Sequence, residues 1–308
     1  MSKSIFRFIK ILKNGIISKY PNILQNRLFL FLRVYYHELR YLTTQEETII
    51  GGCCGARAYF KKKKNEVDII ASALQDEESK RTYLSIIEYR KREFSRQLFQ
   101  KKENTPIYHG CENQYFINDF FKYEENEILV DCGAYIGDSI EAFLKIVPNF
   151  SKIIALEPDS NNFKQLQEKY KETKNIFLIN AGVWEKNDCL NFSMEEYGPV
   201  SCLSKSNPKD NKKIISVNVL ALDTIEEVKK SKVSFIKMDI EGAELEALKG
   251  AEETIKKNKP RLAISIYHYN RHFIEIPEYI HSIVPEYKLY VRHHNKEYPH
   301  ETVLYADL

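Results

Sequence analysis

From Glu127 onward the chain repeats one pattern, in which a short continuous run of apolar residues is followed by a longer stretch with helical periodicity. Continuous apolar runs, as opposed to alternating ones, suit parallel strands that are buried on both faces of a sheet. The runs occupy residues 128–130, 153–156, 176–179, 233–238 and 262–266. Because a strand, helix, strand repeat implies right-handed crossovers, the sequence predicts a doubly wound α/β domain.

The stretches between the strands carry recognisable helix signals. After the first strand, apolar residues recur at helical spacing, and Pro148 is expected to end that helix. The residues that carry this spacing are Ile140, Phe143, Leu144 and Val147. After the second strand, Phe163, Leu166 and Tyr170 repeat the pattern, with Ser160 as the expected N-cap.

The end of the chain departs from this repeat. Residues 287–292 and 302–306 are two predicted strands with only a turn-like stretch between them, so we expect an antiparallel pair at the edge of the sheet. The expected domain is therefore a mostly parallel, seven-stranded, Rossmann-like sheet closed by a terminal hairpin. By analogy of fold, this arrangement is typical of methyltransferases that use S-adenosylmethionine (SAM), and nicotinamide enzymes usually lack it.

The sequence divides into a helix-rich N-terminal region, residues 1–105, and the α/β domain, residues 106–308. Ile5, Ile9 and Leu12 lie at helical spacing among basic residues. This helix is expected to pack on the main domain or on a partner subunit, the alternative being peripheral contact with an anionic membrane surface. The glycine-rich stretch 51–56 is interpreted as a tight turn in preference to a nucleotide-binding loop, and residues 82–99 as a solvated amphipathic helix.

Composition narrows the classes of partner and compartment. The net charge is only +3, whereas a protein that binds nucleic acid through phosphate contacts usually has a larger or more focused basic excess. None of the six cysteines forms a C-x-x-C pair, which argues against a zinc site and favours free thiols in a reducing compartment. No apolar run approaches the roughly 20 residues of a membrane span. From the thiols and the apolar runs we expect a cytoplasmic protein, and from the low net charge we expect no nucleic-acid partner.

The segment from Ile128 to Ser139 is the sharpest functional signal. A buried strand ends in Asp131, and a loop follows before the next helix. Two glycines in a G-x-x-x-G spacing let the backbone approach a ligand, and the helix N-terminus suits the carboxylate of methionine. An acid before the loop would repel the pyrophosphate of a nicotinamide cofactor but can accept a hydrogen bond from the ammonium group of SAM. The expected SAM-binding residues here are Asp131, Gly133, Ala134, Tyr135, Gly137 and Asp138.

Two further strand ends are expected to complete the cofactor site. Glu157 follows the second strand about 20 residues after the loop, where an acid typically binds ribose hydroxyls. Asn180, Ala181 and Gly182 follow the third strand and should border the adenine ring. Asn180 can donate to and accept from base edges, and the two small residues leave room for the ring.

The fourth strand leads into Asp239 and Glu241, which should lie beyond the carboxyl ends of the strands, where ligands bind in open parallel sheets. Asp239 and His268 are the candidate general bases, with Glu241 as a third catalytic candidate. An unperturbed histidine is suited to proton transfer near pH 7. The alternative, a divalent cation held by Asp239 and Glu241, is less favoured, and Glu244 is expected only to favour the N-terminus of the next helix.

The residues around these sites resemble the FkbM family of SAM-dependent methyltransferases over about residues 115–308. Three segments carry the resemblance: 130–138 (VDCGAYIGD), 156–159 (LEPD) and 235–249 (FIKMDIEGAELEALK). Tyr135 departs from the asparagine that is more usual in the family. The resemblance implies SAM as cofactor and O-methylation of a hydroxyl, with a small molecule or glycan as acceptor. Residues 267–268 and 292–294 resemble a branch found among bacterial surface-polysaccharide genes.

Three alternatives remain at this point. A nicotinamide-dependent sugar oxidoreductase would share the fold but require another glycine spacing. A nucleic-acid methyltransferase would require a focused basic patch, and the densest basic run, residues 61–64, lies outside the expected site. A non-catalytic scaffold could dispense with the acids at the strand ends. The polar stretch 194–211 is expected to act as a lid that helps to bind the acceptor.

Overall fold

The structure is a computed structural model that describes residues 55–99, 107–110, 114–193, 202–203, 214–296 and 298–308. The predicted helix around Ile5, and the glycine-rich turn up to residue 54, lie outside the described residues. Within them, the strands are β1 (Ile128–Cys132), β2 (Lys152–Leu156), β3 (Ile176–Ile179), β4 (Gly182–Val183), β5 (Asp188–Ser193), β6 (Cys202–Leu203), β7 (Ile214–Leu220), β8 (Phe235–Met238), β9 (Arg261–Ser265), β10 (Lys288–His293) and β11 (Thr302–Asp307).

The helices are α1 (Ala56–Lys62), α2 (Lys64–Ala73), α3 (Glu77–Phe99), α4 (Asp138–Ile146), α5 (Ser160–Tyr170), α6 (Glu226–Lys229), α7 (Glu244–Lys249), α8 (Glu252–Asn258) and α9 (His272–Ile283). The N-terminus of α5 corrects one detail of the sequence analysis. Asp159 is the N-cap, because its carboxylate accepts from the backbone N–H groups of Asn161 and Asn162, each at 2.9 Å. Ser160, the expected cap, is instead the first residue of the helix.

The main sheet has seven strands in the order β10-β11-β9-β8-β1-β2-β3. The pairs from β9 through β8, β1 and β2 to β3 are parallel, and β11 lies antiparallel between β9 and β10. This confirms the predicted doubly wound sheet with its terminal hairpin. The order reverses between β1 and β8, so the loops after these two strands meet at the switch point where open α/β sheets bind ligands.

Burial on both faces explains why the central strands are continuous apolar runs. Leu129 and Val130 are both fully buried, but they belong to two different hydrophobic clusters on opposite faces of the sheet. On one face, Ile140 and Phe143 of α4 pack in the cluster that contains Leu129. On the other face, α7 and α9 cover Val130 and its neighbours. The two clusters fix the sheet and thereby the positions of its carboxyl ends.

A second, four-stranded sheet in the order β4-β7-β5-β6 was not predicted. Its strands β5 and β7 are antiparallel and are separated in the sequence by the polar stretch 194–211. Apart from Cys202 and Leu203, that stretch lies outside the described residues, so its role as an acceptor lid stays a prediction.

The N-terminal helices pack directly on the main sheet. Tyr83 of α3 and Phe60 of α1 are buried against Phe273, and the Tyr83 hydroxyl donates to the Phe273 carbonyl at 2.9 Å. α3 is therefore less solvated than the sequence suggested. At the β10 edge, Arg292 pairs with Asp76 at 2.9 Å. The boundary between residues 105 and 106 falls outside the described residues and stays a prediction.

Two further expectations can be compared with the described residues. Cys132 is a buried free thiol, as expected from its position at the end of β1, and Cys189 is an exposed one. Every helix in the described ranges is too short or too polar to cross a lipid bilayer.

Candidate functional site

The loop after β1 folds back onto the end of β2. The N–H groups of Gly133 and Ala134 both donate to the Leu156 carbonyl at 3.0 Å. Gly133 has a φ of 80°, and a Cβ there would lie 2.1 Å from the Asp239 carbonyl oxygen. Only glycine fits this position, because the loop backbone packs directly against the exit of β8. The loop thereby brings the predicted cofactor residues next to the predicted catalytic ones.

The loop ends at the N-terminus of α4. Gly137 is the N-cap, so no side chain caps the first N–H groups of this helix, which remain a positive end for an anionic ligand group. Asp138, the first residue of the helix, is exposed. Tyr135 has a φ of 48°, and its side chain is exposed at the rim of the loop.

Asp131 lies beneath the loop, and its carboxylate is fully shielded from solvent. Its Oδ1 is 3.0 Å from Lys237 Nζ, and its Oδ2 accepts from the Ser139 hydroxyl at 2.5 Å. Burial lowers the pKa of Lys237, but the carboxylates of Asp131 and Asp239 outweigh this and raise it, so the ammonium stays charged. Lys237 also donates to the Gly133 carbonyl at 2.7 Å. Asp131 therefore holds the loop through Lys237, a residue that the sequence analysis missed inside its apolar run.

Glu157 stands at the end of β2 and joins two loops. Its Oε2 accepts from the Tyr135 N–H at 2.9 Å, and its Oε1 accepts from the Asp159 N–H at 2.8 Å. Burial raises the pKa of this carboxyl, although the two backbone donors act against the shift. A buried acid whose pKa is perturbed by desolvation is a common mark of a functional site. The Asn162 side chain is a third donor to this carboxylate, which retains room for a further hydrogen bond.

The end of β3 lies beside Glu157, as expected. The Asn180 side chain donates to the carbonyl oxygens of Glu157 and Pro158, at 2.8 and 3.3 Å. Asn180 itself is exposed, whereas Ala181 and Gly182 are buried, and Gly182 pairs with Val219 in the second sheet. The structure thus brings all three strand ends, after β1, β2 and β3, to one edge of the sheet.

Asp239 follows β8 and faces two tyrosines. Its Oδ2 accepts from the Tyr115 hydroxyl at 2.6 Å, and its Oδ1 accepts from the Tyr267 hydroxyl at 3.2 Å. Burial, and then the Asp239 charge, raise the pKa of both phenols well above the usual range, so both act as hydrogen-bond donors. About a fifth of the Asp239 side chain remains exposed, at 21%. Neither tyrosine was predicted as a contact of Asp239. Tyr115 comes from a distant segment, and Tyr267 was named only in the resemblance of residues 267–268.

His268 lies among three carboxylates. Its Nδ1 is 3.0 Å from Glu244 Oε1, and its Nε2 is 3.3 Å from Glu241 Oε2 and 3.6 Å from Asp239 Oδ1. Burial lowers the pKa of His268, but the Glu244 charge and the other two acids outweigh it and raise the pKa well above 6.5. The expectation of an unperturbed histidine is therefore wrong. The surrounding carboxylates therefore favour the protonated ring, and a protonated ring has no free lone pair to act as a base.

Glu244 does more than favour the start of α7, and that expectation is also wrong. It is fully buried, and its Oε1 accepts from the N–H groups of Ile240 and Gly242 at 2.9 and 3.3 Å. Its Oε2 lies 3.4 Å from Nδ1 of the buried His272. Glu241 and Gly242 both have a left-handed backbone, with φ of 55° and 99°. Glu244 thus fixes the turn that carries Asp239 and Glu241.

Arg90 of α3 is a further residue that the sequence did not reveal. It is buried, and it donates to the carbonyl oxygens of Tyr267 and Pro299 at 3.0 and 3.3 Å. Its Nε donates to the Asn270 side chain at 3.1 Å. The N-terminal helices therefore support the loop that carries His268.

Comparison with known proteins agrees with this geometry. The model of the FkbM methyltransferase domain matches residues 131–298, which is more than half of the chain. The structure is similar to the crystal structure of methyltransferase FkbM from Methylobacillus flagellatus, with 28% identity and a TM-score of 0.66. That match covers 82% of this chain, and this chain spans only 60% of that one.

More distant structural matches include fibrillarin from Aeropyrum pernix, crystallised with natively bound S-adenosyl-L-methionine, with 11% identity and a TM-score of 0.35. That match covers 60% of this chain and 67% of the fibrillarin chain. No curated protein matches the sequence. Because the family model covers more than half of the chain, the chain belongs to the FkbM methyltransferase family.

Proposed function

We propose that this protein is a SAM-dependent methyltransferase that methylates a hydroxyl group of a sugar, in a surface glycan or in its nucleotide-sugar precursor. The observation that carries the cofactor assignment is the contact between the loop after β1 and the Glu157 carboxylate, which accepts from the Tyr135 N–H. A buried carboxylate that can accept a further hydrogen bond stands beside a helix N-terminus that no side chain caps. These two features suit the two polar ends of SAM, its ribose and its methionine carboxylate.

The residues present fit this cofactor. Glu157 would hold the ribose hydroxyls, the N-terminus of α4 would hold the methionine carboxylate, and Asn180 and Ala181 would border the adenine. Asp131 would act from below, by fixing the loop through Lys237 and Ser139. When bound, SAM supplies an activated methyl group on a sulfonium. The excess of acids beside the loop suits that positive charge.

The chain's own contribution to the chemistry is to place the acceptor oxygen and to remove its proton. Orientation alone can contribute about 7–11 kcal/mol to such a reaction. Asp239 is the proposed base, because its carboxylate is partly exposed and is oriented by two phenol donors. His268, which keeps its proton, holds the carboxylates in place and balances part of their charge.

A sugar hydroxyl as acceptor rests on the resemblance of residues 235–249 to the family and on the low net charge of +3, which disfavours nucleic acid. A cytoplasmic location and a surface-polysaccharide branch stay predictions from the sequence. Transfer of labelled methyl from SAM to nucleotide sugars or capsular glycans would support the proposal. If RNA is labelled and none of the sugars is, the proposed acceptor class is refuted, whereas the cofactor assignment stays intact.

Replacing Glu157 with Gln should raise the dissociation constants of SAM and of its demethylated product together. Gln retains one acceptor oxygen but loses the charge-assisted bonds to the ribose hydroxyls, which are about twice as strong as neutral ones. We expect a loss of about 1.5–3 kcal/mol in the binding free energy of each ligand, measured by calorimetry. Glu168→Gln, on the exposed face of α5, is the matched control and should bind as the wild type does. Unchanged affinity for both ligands in Glu157→Gln would show that Glu157 does not contact the ribose.

Replacing Asp131 with Asn should destabilise the protein because the charge opposite Lys237 is lost. Asn still offers an oxygen to Ser139, so the expected loss in the free energy of unfolding is about 1.5–3 kcal/mol, measured by urea denaturation. The double variant Asp131→Asn/Lys237→Met removes both charges and should recover part of this loss. If Asp131→Asn unfolds at the wild-type urea concentration, the ion pair does not hold the loop.

A further inference from the structure

The loop that joins β10 to β11 lies at the same edge of the sheet as the proposed base. The N–H of Ile266, just after the end of β9, donates to the Thr302 carbonyl at the start of β11 at 3.0 Å. The loop is closed by the His294 N–H, which donates to the Glu301 carbonyl at 2.8 Å. The β10–β11 loop (residues 295–296 and 298–300) therefore lies beyond the carboxyl ends of the parallel strands, where open α/β sheets bind their ligands.

Three aromatic side chains form a continuous row from the proposed base to this loop. The Tyr267 hydroxyl donates to Asp239 at 3.2 Å, and the Tyr267 ring lies 6.0 Å from the ring of His300. The His300 ring is in turn nearly parallel to the ring of Tyr298, with 6.3 Å between the centroids and 15° between the planes. The exposed fraction rises from 9% for Tyr267 to 57% for Tyr298. The row thus ends in an open tyrosine ring that two other rings separate from Asp239.

The backbone that carries this ring is held in place by the rest of the protein. The buried guanidinium of Arg90 donates to the Pro299 carbonyl at 3.3 Å, and the Asn295 side chain accepts from the Tyr298 N–H at 3.0 Å. His300 stacks on one side of the Tyr298 ring, and more than half of Tyr298 is left exposed to a ligand. A tyrosine held in this way offers a large, rigid contact surface at a low cost in conformational entropy.

The charge around the row favours a ligand without negative charge. Burial lowers the pKa of His300, so its ring is neutral at pH 7. After burial, the charges of Asp239, Glu301 and Glu241 are the next causes that raise the pKa of the Tyr267 hydroxyl, so these three carboxyls all lie near this end of the row. They would repel the diphosphate of a nucleotide sugar, whereas the hydroxyls of an uncharged sugar can donate to them.

We propose that Tyr298 stacks on a second, uncharged sugar ring of the acceptor, so that the acceptor is an oligosaccharide and not a nucleotide sugar. Because two rings separate Tyr298 from Asp239, the sugar on Tyr298 is a neighbour of the one that presents its hydroxyl to the base. The C–H face of a pyranose ring is apolar and slightly positive, which complements the negative face of an aromatic ring. The inference rests on the proposed methylation of a sugar hydroxyl, and it selects the glycan over its nucleotide-sugar precursor.

The test is saturation-transfer NMR of the full-length protein without SAM. The neutral probes are maltose, lactose, cellobiose and N,N′-diacetylchitobiose, and UDP-glucose is the charged probe. We expect transfer to the ring C–H protons of at least one disaccharide and weaker transfer to UDP-glucose at the same concentration. Absence of transfer to all the disaccharides, or stronger transfer to UDP-glucose, would overturn the proposal. Because SAM is left out, the result does not depend on methyl transfer, so a failure of the proposed function is seen separately.

Tyr298→Ala is the decisive variant, because the side chain is mostly exposed and its loss should leave the fold intact. It should weaken binding of the responding disaccharide by at least about fivefold, and Tyr298→Phe, which keeps the ring, should restore binding to within about twofold of the wild type. Lys296→Ala, exposed on the same loop, is the matched control and should bind as the wild type does. Wild-type binding by Tyr298→Ala would overturn the proposal.

Kinetics with a sugar acceptor from the labelling screen separate this role from a structural one. Loss of a contact made equally in the ground state and the transition state raises KM and leaves kcat unchanged. Tyr298→Ala should therefore raise the KM of the acceptor and leave the KM of SAM as in the wild type. An unchanged KM for the acceptor in Tyr298→Ala would refute the stacking role, and it would leave the proposed methyl transfer intact.

Discussion

Asp239→Asn should reduce turnover by about 10²-fold or more while SAM binding stays within a few-fold of the wild type. Asn keeps the size of the side chain and an oxygen for one of the two tyrosine hydroxyls, but it cannot take a proton. The loss should therefore fall on the chemical step. Steady-state rates with an acceptor found by the labelling screen, together with calorimetry of SAM binding, measure the two effects separately.

Asp188→Asn is the control for this variant, since Asp188 is an exposed acid at the start of β5 in the second sheet. Asp188→Asn should turn over as the wild type does, because it lies outside the site. Turnover within threefold of the wild type would show that Asp239 is not the base. A pH–rate limb that disappears in His268→Gln but persists in Asp239→Asn would return the role to the histidine.

Glu244→Gln should lower the free energy of unfolding by about 3–5 kcal/mol, the usual cost of removing one partner from a buried charged pair. The neutral amide leaves the buried imidazolium of His268 without its nearest counter-charge, at 3.0 Å. Urea denaturation near pH 6 measures the loss. Glu246→Gln, half-buried on the same helix, should change the stability by less than about 0.5 kcal/mol, as for surface substitutions. Equal stability of the two variants would exclude a supporting role for Glu244.

Glu244→Gln should also change how the free energy of unfolding depends on pH. The Glu244 carboxyl is desolvated, but the charge of His268 outweighs this and holds its pKa below its ordinary value of 4.5. The contribution of Glu244 to the free energy of unfolding is therefore present above pH 4.5 and is lost as the pH falls below that value. The pKa of His268 is raised in the folded state. Its contribution to the free energy of unfolding is therefore present below pH 6.5 and is lost as the pH rises through the higher pKa of the folded state. Both limbs should be shallower in Glu244→Gln.

The sheet was predictable from the sequence because burial on both faces forces central parallel strands to be continuous apolar runs. The positions of Asp131, Glu157 and Asp239 at strand ends followed from the same pattern, since parallel strands place their carboxyl ends at one edge. The second sheet was missed because its strands are short and are interrupted by the polar stretch 194–211. That stretch has the composition of a loop, and strand pairing across it has no local signal.

The side-chain contacts of the site were less predictable than its position. A sequence places Glu244 on a helix, but it does not show that the carboxylate turns inward to meet His268 and the backbone of the turn. Nor does it show that Tyr115, more than a hundred residues before Asp239, lies 2.6 Å from its carboxylate. The pKa of His268 depends on these contacts, and this explains why it was expected to be ordinary.

The central claim is that the loop after β1 and the end of β2 form a SAM site, and calorimetric titration of the wild-type protein with SAM and with NADH tests it most directly. The account predicts saturable binding of SAM and of its demethylated product at one site per chain, with no measurable binding of NADH. Saturable binding of NADH together with no heat from SAM would contradict the account, whatever the acceptor proves to be.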